Sequence, residues 1–119
     1  MVRGSLDIKT KQEKDIVAVI LQGPINAATS PALRSEITEA FQKPLKGMVI
    51  EISQVNYIDS SALATLVEGM QLAEQAGKTF CLAGMIDEKI FHLLEITRLE
   101  GLFPQFDTLE EAIESLSSP

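Results

Sequence analysis

Apolar residues recur along this chain with two periods, and these outline its elements. Leu6-Asp7-Ile8-Lys9-Thr10 alternates apolar and polar positions, which predicts a half-exposed strand. Residues 16–21, Ile-Val-Ala-Val-Ile-Leu, form a continuous, mostly β-branched run, as expected of a strand covered on both faces. The short charged gap between them predicts an antiparallel hairpin, and Gly23-Pro24 ends the second strand. Ser30-Pro31 then reads as N-cap and first residue of a helix, with Leu33, Ile37, Ala40 and Phe41 on one face. Pro44 and Gly47 close that helix, and residues 48–52 read as a third strand. Leu63, Leu66, Val67, Met70 and Ala73 give a second helix its apolar stripe, ending near Gly77. Residues 79–83 form a fourth strand, and Ile90, Leu93, Leu94 and Thr97 mark a third helix. A short strand around 102–106 follows. Thr108 and Glu111 then spell a capping box for a last helix bearing Ala112, Ile113 and Leu116.

The predicted order is β-β-α-β-α-β-α-β-α. Strands joined by helices imply parallel pairing with right-handed crossovers. The expected fold is therefore α/β, with a mixed, mostly parallel sheet and about four helices. The 119 residues fit a single domain over 1–119, with residues 117–119 as a frayed tail.

Charge and composition narrow the function. A net charge of −7 argues against nucleic acid as a partner, because phosphate neutralisation needs Lys and Arg. It argues equally against a basic membrane-surface protein. No apolar run is long enough to suggest membrane insertion, and no secretory leader is legible. With Cys81 as the only cysteine, an internal disulfide or thiolate zinc cluster cannot form, and a cytoplasmic setting is the natural expectation. Cys81 falls mid-strand and reads as a buried thiol. Neither glycine-rich phosphate cradle, GxGxxG or GxxxxGK[ST], is present. His92, Ser60 and Asp59 make a poor triad, since the last two are adjacent in sequence. No enzyme, cofactor or metal site is expected.

The informative segment is Asp59-Ser60-Ser61, where the third strand gives way to the second helix. Asp and Ser are preferred N-caps, so a purely structural role is available. Three such residues in a row are nevertheless more than one cap requires. The helix also carries a second stripe, Ala62, Thr65, Gly69 and Leu72, in which three of four residues are small. Gly69 costs about 1 kcal/mol relative to alanine in a helix interior. Such a flat face suits a partner-docking surface beside an exposed hydroxyl, or close packing against another part of the domain.

These segments resemble a STAS domain, the fold of bacterial anti-sigma factor antagonists. "LQGPINAATSPALRSEI" resembles the family's Gly-x-Ile/Leu-Asp segment and first helix. "MVIEISQVNYIDSSALATLVEGMQLAEQAGKTFCLAG" is similar to its central strand, Asp-Ser-Ser/Thr-Gly loop, second helix and next strand. "LEITRLEGLFPQFDTLEEAI" is similar to its ending. The resemblance implies a regulatory module that binds an anti-sigma factor, itself a serine kinase, when unphosphorylated. Phosphorylation of the hydroxyl after the loop aspartate, here Ser60, switches it off, and a serine phosphatase restores it. Ser61 is the lesser candidate acceptor, and Asp59, Ser60, Ser61 and Ala62 form the switch loop. Two positions depart from the family pattern: Ala62 replaces the usual glycine, and Asn26 the usual aspartate. Other members imply other roles: a constitutive scaffold or accessory subunit of a stress-signalling or lipid-transport assembly, or a nucleotide- or lipid-binding regulatory domain. Monomer and dimer are both compatible with the sequence.

Overall fold

The computed structural model describes residues 5–84, 88–99 and 101–117. Its elements are β1 (Asp7–Glu13), β2 (Ile16–Gln22), α1 (Ser30–Phe41), β3 (Gly47–Gln54), α2 (Ser60–Gln75), β4 (Thr79–Ala83), α3 (Glu88–Ile96), β5 (Gln105–Phe106) and α4 (Leu109–Ser117). This is the predicted order. The five strands lie side by side in sequence order, with β1 antiparallel to β2 and the other neighbours parallel. Parallel strands taken in sequence with crossovers of one hand send their helices to one face. Accordingly, Leu33 and Ile37 of α1, Leu66 and Ala73 of α2, and Ile90 and Leu94 of α3 share one core with Val17, Val19, Met48, Ile50 and Leu82. The opposite face is covered by α4, whose Ala112 and Leu116 pack on Ile16, Val49, Cys81 and Ala83. This two-sided burial explains the unbroken apolar run of β2.

Local details depart from the expectations in instructive ways. The β1–β2 turn is two residues, Lys14-Asp15, and Lys14 takes a φ of 55°, a left-handed conformation reached without glycine. The last strand shrinks to two residues, because Pro104 has no N–H for a ladder and Phe103 turns into the core. The second helix ends on Gly77, whose φ of 69° lets the Lys78 N–H reach the Ala73 carbonyl at 2.7 Å. Ser117 belongs to α4, and residues 118–119 of the expected frayed tail lie outside the described residues.

Ser30 is not the N-cap of α1. That position falls to Thr29, whose side chain makes no capping bond. The turn is instead closed by Asn26, whose Oδ1 accepts from the Ala28 and Thr29 amides at 2.9 and 3.1 Å. Its carbonyl accepts from the Ser30 N–H at 2.8 Å. Ser30 itself is buried, and its hydroxyl has no hydrogen-bond partner among the described residues. Ser30→Ala is therefore expected to raise stability by about 1 kcal/mol in urea unfolding. A loss of similar size would restore the capping role.

Burial pushes the Cys81 thiol up to about 12. The native thiol should resist alkylation at pH 8 and react on unfolding. Because the folded value lies above the unfolded 9.0, this group leaves stability undiminished below pH 9. Stability then falls as pH rises toward 12, which thermal melts across that range would follow.

Candidate functional site

The site grows from the C-terminal ends of β2 and β3. Beyond those strands the two backbone segments stay stitched together. The Gly23 N–H donates to the Gln54 carbonyl at 3.2 Å, Ile25 N–H to Tyr57 at 2.9 Å, and Asp59 N–H back to Ile25 at 3.3 Å. The Ile25 side chain is fully buried beneath this seam. Asp59 thus arrives at the start of α2 with its position already fixed. It takes an extended conformation, and its Oδ1 accepts from the Ser61 and Ala62 amides at 2.9 and 3.3 Å. Its carbonyl accepts from Leu63 at 3.1 Å, the first turn of the helix.

The three residues at the junction consequently divide their roles. The Asp59 carboxylate is the cap. Ser61 is half-buried, and its carbonyl takes the Thr65 hydroxyl at 3.0 Å. Ser60, the first helical residue, is exposed, and no hydrogen bond engages its hydroxyl among the described residues. Ala62 is fully buried, so the methyl group that replaces the usual glycine lies in the core, not over Ser60. The other departure, Asn26, retains the acceptor oxygen that closes its turn.

The second stripe of α2 requires a correction. Ala62, Thr65 and Gly69 are buried and present no docking face. Gly69 is small because α2 crosses the core closely there. A Cβ at that position would stand 2.8 Å from Phe80 Cε2 and 3.4 Å from Ile37 Cγ2. Phe80 in turn is wedged between Phe41 and Phe103, with ring centroids 6.4 and 6.1 Å away. Close packing within the domain thus accounts for the small residues. Only Leu72 of the stripe reaches the surface, 38% exposed.

Two surface features escape the periodicity of the sequence. Arg34 of α1 forms a two-pronged ion pair with Glu68 of α2, at 3.1 and 3.2 Å. An apolar groove of about 310 Å³ opens between the loop at Tyr57 and Ile58 and the α3 residues Ile90, Leu93 and Ile96. An available signal for the groove was the excess of apolar residues on α3. His92 is exposed on the same helix, 3.9 Å from Glu95. Among the described residues, no group of three or more His, Cys, Asp or Glu side chains could hold a metal ion. Nor is any described helix long and apolar enough to cross a membrane.

A family model described as the STAS domain matches residues 7–112. The anti-sigma-B factor antagonist of Listeria monocytogenes is 31% identical over 100 residues, covering 82% of this chain and 84% of that protein. An anti-sigma factor antagonist from Mycobacterium paratuberculosis has the same fold, with a TM-score of 0.87, 20% identity and 98% of each chain covered. SpoIIAA, a Bacillus cell fate determinant, is similar in its unphosphorylated form, with a TM-score of 0.81, 17% identity and coverage of 92% of this chain and 96% of that one. Its phosphorylated form gives 0.74 at 17% identity, covering 92% and 99%.

The close α2–β4 contact makes a prediction opposite in sign to helix propensity. On an open face, Gly69→Ala would stabilise the helix by about 1 kcal/mol. Against the wedged Phe80 ring it should instead destabilise the protein by about 1–3 kcal/mol in chemical denaturation.

Proposed function

The chain belongs to the STAS domain family, and on that premise we propose that it is an anti-sigma factor antagonist switched by phosphorylation of Ser60. The unmodified protein binds an anti-sigma factor that is also its serine kinase. The Ser60 Oγ takes the γ-phosphoryl group of the kinase's nucleotide, its proton passing to a base on the kinase and the nucleoside diphosphate leaving. A serine phosphatase reverses the step. The chain is regulatory rather than catalytic, and its setting is cytoplasmic. The observation that carries this reading is the exposed, unengaged Ser60 hydroxyl next to the Asp59 carboxylate that caps the helix, while Ser61, whose hydroxyl is also unbonded among the described residues, is half-buried. It is supported by the names of the relatives, and by the fact that SpoIIAA has been solved in phosphorylated and unphosphorylated forms.

The electrostatics fit a switch that leaves the fold intact. A phosphoserine adds roughly −1.5 to −2 charges. At the first residue of α2 that charge meets the positive end of the helix dipole, so the domain tolerates it. A partner seated over Ser60 meets a bulky dianion next to the Asp59 carboxylate in a chain of net charge −7. A penalty of about 4 kcal/mol would weaken binding roughly a thousandfold with no change of shape.

Binding titrations with the anti-sigma factor kinase of the same organism test the reading. Ser60→Ala should bind as tightly as the unmodified chain and accept no phosphate, whereas Ser61→Ala should still accept it. Ser60→Asp should bind at least tenfold more weakly. Equal affinities for the Ala and Asp variants would contradict the switch and favour a constitutive subunit.

A further inference from the structure

We infer that the groove between the Tyr57 loop and α3 is where the same anti-sigma factor kinase anchors an aliphatic or aromatic side chain, an inference that rests on the antagonist reading. Five of the nine residues of α3 are large and apolar: Ile90, Phe91, Leu93, Leu94 and Ile96. Only Ile90 and Leu94 are buried. Ile96 is 64% exposed, and Tyr57 across the groove 53%. A surface helix normally turns polar residues to solvent, and apolar residues gathered in this way mark a contact surface.

What covers the groove follows from its position. Tyr57 is three residues from Ser60, so their Cα atoms lie within about 10 Å of each other. A stable complex buries about 800 Å² on each partner, a patch of roughly 16 Å radius. A protein that centres on the Ser60 hydroxyl therefore also reaches Tyr57, which forms one wall of the groove. On the other flank of α2, Arg34 and Glu68 already satisfy one another and offer no apolar anchor. Affinity and control are then separate: the groove supplies the desolvated anchor, and the charge state of Ser60 decides whether the partner can close over it.

Site-specific photo-crosslinking in the producing cells tests this. Three variants of the full chain each carry p-benzoylphenylalanine at one exposed position. Ile96 reports on the groove, Ala64 on α2 one turn beyond Ser60, and Leu72 on a surface about 18 Å along α2 from Ser60. Positions 96 and 64 should both capture one protein, identified by mass spectrometry as an anti-sigma factor with a serine-kinase domain. Position 72 should not, and adding Ser60→Asp should reduce the position-96 adduct at least tenfold. Capture of the kinase from position 64 but not 96 overturns the groove and leaves the antagonist reading standing. Capture of the kinase from neither position overturns both.

Discussion

One carboxylate sets the phase of the helix on which the site depends. Asp59 closes the N-terminus of α2 through the Ser61 and Ala62 amides, and the backbone seam to Ile25 holds Asp59 in place. Each residue of a helix advances about 100° around its axis, so fixing where the helix begins fixes what every later residue faces. With the cap at Asp59, Ala62, Thr65, Leu66, Gly69 and Ala73 turn into the core, while Ser60 stands outside. Starting the helix one residue later would rotate this pattern by a quarter turn or more. It would set Gly69 away from Phe80, the ring that requires a residue without a side chain. The cap, the close crossing at Gly69 and the exposure of Ser60 are thus parts of one constraint.

The sequence was most legible where local physics and tertiary packing agree. The strands of 16–21 and 79–83 could be read because both their faces are buried, and continuous apolar runs have few other uses. The Thr108 cap was readable because its partner amide, on Glu111, lies only three residues away. Legibility failed where a long-range contact decides the role of a residue. Ser30 has the sequence of an N-cap, yet Asn26 reaches the free amides first and leaves the serine hydroxyl buried, with no partner among the described residues. Gly69 looked like part of an open face because nothing in its own segment reveals Phe80, eleven residues downstream on β4. The groove could not be placed at all, since its walls come from segments more than 30 residues apart.

At the junction, the sequence identified the right residues but left their roles undivided. Asp, Ser and Ser are all competent caps, and only geometry separates the carboxylate that caps from the two hydroxyls left over, of which Ser60 is exposed and Ser61 half-buried. The same geometry changes the meaning of Ala62. Read linearly, a methyl group in place of hydrogen next to the acceptor suggests obstruction. In the fold that methyl belongs to the core, on a different side of the helix from Ser60.

The central claim is that Ser60 is the group on which the cell acts. It is tested most directly by phosphopeptide mapping of the protein recovered from its own cells. Cleavage at lysine and arginine releases the segment from Gly47 to Lys78 as one fragment, holding Ser53, Ser60 and Ser61. The account predicts a phosphatase-sensitive phosphate on Ser60 in that fragment. A fragment that stays unmodified under varied growth conditions, or a phosphate carried on Ser53 or Ser61 instead, would contradict it.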